Sequence, residues 1–196
     1  MKKLLIVLSI LTIALAGSAF AQDAPSDNNV GIYLADGAHN ADAIPGSMLD
    51  LHLVISNLTA DTVSGFELKL ETSGPVFIAE STIVYPTQVI NVGVRVGEFI
   101  VGFDGPVPAV DGAVEVMSFS VFVTDDAVSG GLFIKPIFFP SIASVPSYLI
   151  DADSGELVEM RQSTGGADDA VFVINSQEVP VATESTSFDN LKSLYR

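Results

Sequence analysis

The sequence predicts an all-β fold, a single antiparallel β-sandwich of jelly-roll-like type, and three observations carry that expectation. Within residues 46–71, Leu49, Leu51, Leu53 and Ile55 alternate with Asp50, His52 and Ser56; after a polar connector, Phe66, Leu68 and Leu70 alternate with Glu67, Lys69 and Glu71. A period of two puts each apolar row on one face of a strand, so both rows can meet in one core while the polar rows face water. About ten short apolar or alternating runs follow one another along the chain, the spacing of a sandwich. Before residue 185 no long segment carries a helical stripe, while Val, Ile, Thr and Phe are abundant.

Residues 1–21 hold Lys2 and Lys3, the apolar run 4–16 and Ala19-Phe20-Ala21, the three parts of a cleavable secretory signal, with cleavage expected after Ala21. That run is shorter than the roughly 20 residues of a spanning helix. Residues 22–29 are polar and acidic and are expected to form a flexible mature N-terminus. The domain is expected over residues 30–175, with strands in runs 30–34, 48–56, 63–71, 76–78, 89–96, 98–104, 113–124, 132–139, 148–150, 157–161 and 171–175. Asp36-Gly37, Asp104-Gly105-Pro106, Asp111-Gly112, Ser129-Gly130-Gly131 and Asp153-Ser154-Gly155 supply turn chemistry between them. Pro136 interrupts the run 132–139 and cannot donate to a ladder, which marks that run as an edge strand or a bulge.

Residues 176–187 turn to Ser, Thr, Glu and Pro, the composition of a linker. In residues 188–196, Phe188 is followed at offsets of three, six and seven by Leu191, Leu194 and Tyr195, with Ser187 as a cap and Lys192 and Arg196 late. This is the pattern of a short amphipathic tail helix, the alternative being a frayed terminus that merely contains apolar residues.

The chain has 24 acidic residues against 8 basic ones, a formal charge of −16 that loss of Lys2 and Lys3 makes more negative still. The remaining cations, Lys69, Arg95, Lys135, Arg161, Lys192 and Arg196, are scattered. Phosphate recognition needs clustered cations, so nucleic acid is excluded as a partner and anionic membrane surfaces are disfavoured. No cysteine is present, so stability must come from packing without disulfides. After the leader, no apolar stretch approaches the length of a membrane span.

Catalytic chemistry has little to rest on. There is no Gly-x-Ser-x-Gly elbow and no glycine-rich phosphate loop, and neither His39 nor His52 stands in a triad context. No cofactor is expected, and calcium is the one ion with candidate ligands. Asp36, His39 and Asp42 lie three apart in a glycine-containing loop. Asp151 and Asp153 begin a calcium-loop-like segment that lacks the full ligand order and is better explained as a hairpin turn. A glycan platform would want Trp or Tyr; with no Trp, Tyr33, Tyr85 and Tyr148 are the available aromatics, Tyr85 and Tyr148 the candidates singled out, each equally readable as a strand residue with a satisfied hydroxyl.

Three segments carry a resemblance to a known family. Gly46-Ser47 with the strand 48–56, the run 63–70 with its Val-Ser-Gly-Phe opening, and the strand GAVEVMSFSV over residues 112–121 resemble the core strands of cohesin modules, within the carbohydrate-binding-domain-like sandwich group. On the last strand Gly112, Val114, Met117, Phe119 and Val121 occupy the matching positions. Glu71-Thr72 stands where the family often has Tyr-Asp, and Ser47 where an acidic residue is usual. The resemblance implies a cohesin-like sandwich and, loosely, a dockerin partner. The tail, with Phe188, Lys192, Tyr195 and Arg196, also looks like a short terminal motif of exported bacterial proteins. The expected function is a non-catalytic exported module for interaction or scaffolding at the cell surface or in the envelope of a bacterium. Its partner would be an extracellular protein, or a polysaccharide if it is instead a carbohydrate-binding module; a carboxylate-dependent hydrolase is the third reading.

Overall fold

The computed structural model describes residues 27–176. The leader, the tail and all but the first residue of the linker lie outside the described residues. The alternating segments form thirteen strands: β1 (Asn29–Tyr33), β2 (Asn40–Ala41), β3 (Met48–Ser56), β4 (Thr62–Ser73), β5 (Val76–Val84), β6 (Val89–Asn91), β7 (Glu98–Pro108), β8 (Val114–Val123), β9 (Gly130–Lys135), β10 (Ser147–Leu149), β11 (Leu157–Glu159), β12 (Arg161–Gln162) and β13 (Phe172–Ile174). No helix forms among the described residues, and none there is long and apolar enough to cross a membrane.

The strands build two facing sheets. The first runs β12-β1-β3-β8-β5, and the second β11-β10-β4-β9-β13-β2, with β7 and then β6 added to β4. Glu67 and Lys69 of β4 both pair with β7; Glu67 also pairs with β10 and Lys69 with β9. Strands β9 and β10 therefore occupy successive lengths of one edge of β4, and β7 takes the other. The alternation predicted for β3 and β4 sets Leu51, Leu53 and Ile55 against Phe66, Leu68 and Leu70 in one core. Phe119 and Val121 of β8, Leu132 and Ile134 of β9, and Phe172 of β13 complete it.

Close backbone approach explains one glycine of β4. A Cβ on Gly65 would stand 2.4 Å from the carbonyl oxygen of Val101 on β7, next to the register shift between Val63 and Gly65. Neither backbone can yield there without breaking the ladder, so only glycine lets the two strands close.

Several boundaries differ from expectation. β1 opens at Asn29, and Asn28, expected in the flexible terminus, is buried. In the run 89–96 only Val89–Asn91 stays a strand, because the Asn91 Oδ1 accepts from Gly93 N (3.0 Å) and Ile100 N (3.2 Å) and bends the chain. Pro136 does not mark an edge: β9 lies between β4 and β13, and the proline ends it one residue after Lys135. The run 157–161 splits, β11 joining the second sheet and β12 the first, with the buried Met160 at the crossing.

The chain enters and leaves at opposite ends of the strands. Asn28 N donates to Asn57 O beside the end of β3, whereas Ser176 lies with Asp42, Ala43 and Ile44, just before β3 begins.

Candidate functional site

Alternation places Glu67, Lys69 and Glu71 on the outer face of β4, where water is expected. Lys69 and Glu71 do pair there, partly exposed, at 2.6 Å. Glu67 instead is buried, which corrects the expectation for that position. After Pro136 the chain leaves the sheet, anchors the buried Ile137, and crosses the outer face before returning as β10. Ser141 donates to the Glu67 carboxylate twice, from N to Oε1 at 2.6 Å and from Oγ to Oε2 at 2.8 Å; Ser147 Oγ donates to Oε1 at 3.0 Å. On the neighbouring strand, two residues toward the bend, Glu98 of β7 is also buried, and its Oε1 accepts from Phe138 N at 2.8 Å. Two carboxylates thus hold the crossing segment 137–146 by two backbone N–H groups and the Ser141 hydroxyl, and tie its end to β10 through Ser147.

What the segment presents outward is aromatic. Phe138 and Phe139 meet edge to face with centroids 4.4 Å apart, and they are 56 % and 80 % exposed. The Arg95 guanidinium carbon stands 3.5 Å from the Phe138 centroid. Arg95 belongs to the bend 92–97, whose Val92, Val94 and Val96 are exposed, as is Ile90 of β6. The arrangement is an exposed apolar platform with one cation. Between β9, β12 and the returning end of the segment lies a cavity of about 460 Å³ lined by Ile134, Pro136, Val145, Met160 and Gln162, with Arg161 its one charged residue.

At the rim Lys135 Nζ donates to Ala167 O (2.7 Å) and pairs with Asp168 at 2.6 Å. The hydrogen bond and then the charge of Lys135 hold the Asp168 carboxyl below the usual carboxylate range. An NMR titration of Asp168 is expected to rise toward an ordinary midpoint in Lys135→Met, and an unmoved midpoint would contradict the assignment.

The residues singled out in the sequence are dispersed. Tyr148 is fully buried, its hydroxyl donating to Asn28 Oδ1 at 2.8 Å, so it offers no face to a ligand and its candidacy as a glycan contact is withdrawn. Tyr85 is half-buried against the core, and burial raises its phenol against a smaller opposing effect of its hydrogen bond with Asn91. Asp36 Oδ1 accepts from Ala38 N within its own turn, and Asp42 lies near Asp126 at the far end of that loop. Asp151 Oδ1 accepts from Asp153 N in the β10–β11 hairpin. Among the described residues no three His, Asp or Glu side chains come together as a metal would require. His52 Nδ1 stands 3.2 Å from Glu115 Oε1 on the first sheet. Phe188, Lys192, Tyr195 and Arg196 lie outside the described residues. Sequence reasoning missed Phe138, Phe139 and Arg95, whose signal was an adjacent aromatic pair between Pro136 and Pro140, too close to both prolines to continue a strand.

No family model matches the chain, and no curated protein matches it. Solved structures similar to it include the third ScaB cohesin of R. flavefaciens in complex with a group 1 dockerin, at 12% identity and a TM-score of 0.48, covering 77% of this chain and 96% of that one. A non-cellulosomal cohesin from the hyperthermophilic archaeon Archaeoglobus fulgidus is similar at 16% identity and a TM-score of 0.40, covering 79% and 95%. The cohesin module of a family 33 glycoside hydrolase from Clostridium perfringens is similar at 10% identity and 0.39, covering 69% and 91%.

Proposed function

We propose that this chain is a non-catalytic, exported interaction module that docks a protein partner on the platform of Phe138, Phe139 and Arg95. The observation that carries the reading is that two adjacent phenylalanines stay exposed while Arg95 and Glu98 fix one of them in place. Such a surface costs solvation in isolation and little ordering on binding, the balance expected of an anchor. Aromatic residues and arginine are also what protein interfaces concentrate. The module works at the cell surface or in the envelope, a placement that rests on the leader in residues 1–21. The resemblance of the strands at 48–56, 63–70 and 112–121 to cohesin strands makes a dockerin-type module the first partner to test.

Affinity capture from extracellular and envelope extract tests the reading. The protein with residues 22–196 should retain a partner that the Phe138→Ala/Phe139→Ala variant loses, with affinity down about thirtyfold or more and the melting temperature little changed. A partner held equally by both proteins, or recovery of polysaccharide alone, would refute the platform.

A further inference from the structure

A second apolar surface lies on the outer face of the first sheet. Register sets Met48 of β3, Phe122 of β8 and Phe77 of β5 side by side in one cross-strand row, 52 %, 38 % and 58 % exposed. The row behind it is polar, with Ser120 Oγ donating to Asp50 Oδ1 at 2.7 Å. Asp42 and Asp126 meet at the end of the face, Asp50 lies in the row behind, and Glu80 lines a pocket with Phe77 that Lys69 and Glu71 of β4, paired with each other, also reach; no Lys or Arg lies on β3, β5 or β8. A second copy of so acidic a chain would bring like charge to it. The face fits a segment that combines apolar side chains with cations.

The chain holds such a segment, and leaves the described domain beside that face. Ser176 lies with Ile44 and Asp126, at the end of the sandwich where Gly46 N donates to Val123 O and β3 begins with Met48. Residues 177–187 extend to about 36 Å, more than enough to reach the row. The row spans two strand spacings, about 10 Å. Residues 188–195 at a helical rise would cover about the same length, with Phe188, Leu191, Leu194 and Tyr195 at one-face spacing and Lys192 and Arg196 beside them.

We propose that residues 188–196 dock in cis on the outer face of the first sheet, their apolar side chains over Met48, Phe122 and Phe77 and Lys192 and Arg196 toward the acidic rim. The contact is intramolecular, at millimolar effective concentration, so even a weak site is substantially filled. A competitor for either surface frees the other.

The absence of native cysteine makes the test direct. In residues 22–196, Phe77→Cys/Leu194→Cys is compared with Ser73→Cys/Leu194→Cys; Ser73 is exposed at the same end of the sandwich but on β4 of the second sheet. Both changes are on the surface, so folding is preserved. The intramolecular disulfide should form about tenfold faster in the Phe77 pair, and that advantage should shrink with Lys192→Glu/Arg196→Glu or in roughly 0.5 M salt. Deleting residues 188–196 from the unmodified sequence should shift the Met48 and Phe122 amide resonances. Equal trapping rates in the two pairs, unmoved resonances, or disulfide-linked dimers that dominate at every protein concentration would each overturn docking in cis.

Discussion

Glu67→Ala is expected to destabilise the protein by about 3 to 5 kcal/mol, because it strips three donors of one buried acceptor group at once. Ser141 N, Ser141 Oγ and Ser147 Oγ all point at that carboxylate; alanine leaves the buried Ser147 hydroxyl without this acceptor and frees Ser141, the exposed end of the anchor, from the sheet. Glu67→Gln keeps one carbonyl oxygen in the same place, and the serine hydroxyls can turn to accept from its amide, so its cost should be about 1 to 2 kcal/mol. The difference should appear in thermal unfolding as roughly 5 to 10 °C. Hydrogen exchange locates the damage: the Ser141 amide should lose protection in Glu67→Ala while β3 and β8 keep theirs. Because the same segment carries Phe138 and Phe139, partner affinity should fall in this variant although no platform side chain was touched. Stability of Glu67→Ala equal to that of the unmodified protein would mean the segment is not held by this carboxylate.

Asn28→Ala is expected to cost about 3 kcal/mol through two separable causes. Asn28 has a φ of 59°, where asparagine is tolerated and alanine strained, and its Oδ1 accepts from Tyr148 Oη (2.8 Å), Thr59 N (2.9 Å) and Thr59 Oγ1 (3.1 Å). Asn28→Gly relieves the backbone strain and loses only the acceptor, so the gap between the two variants isolates the conformational part. A double-mutant cycle with Tyr148→Phe isolates the phenol, whose coupling to Asn28 should be about 1 kcal/mol; a coupling of zero would remove the hydroxyl from the account. Burial raises the Tyr148 phenol above its ordinary value; a hydrogen bond with Thr59 opposes this in part, and a smaller repulsion from Glu156 adds to it. The unfolded chain then ionises first, so this contribution is complete below about pH 10 and is lost as pH rises through the folded value. Tyr148→Phe should flatten that alkaline decline.

The sandwich was legible wherever one face of a strand met the core. Leu51, Leu53 and Ile55 of β3 and Phe66, Leu68 and Leu70 of β4 announce their direction by period alone, because water on one side and apolar packing on the other separate their neighbours. The same rule misplaced Glu67. Alternation reports which residues share a face, and it carries no information on what a distant segment later lays over that face. Tyr148 was ambiguous for a related reason: three residues of β10 are too few to show a period, and a buried phenol with a partner has the same letter as an exposed one. Pro136 signalled a break correctly but not its kind, since the missing donor ends an interior strand as readily as it marks an edge. The platform was hidden because its parts, Arg95 and Phe138, are far apart in sequence and meet only through the bend at Asn91 and the excursion after Pro136.

The entry of the chain at Asn28 and its departure at Ser176, at opposite ends of the strands, determine how the domain bears tension. A pull applied between the two points runs lengthwise along the sandwich. β1 is gripped on both sides by β3 and β12, and β13 by β9 and β2, so the load falls on these ladders in shear. Bonds loaded side by side share the force, whereas bonds peeled from one end meet it singly. A domain built this way can keep the packing of Phe138 and Phe139 intact while the chain is stretched.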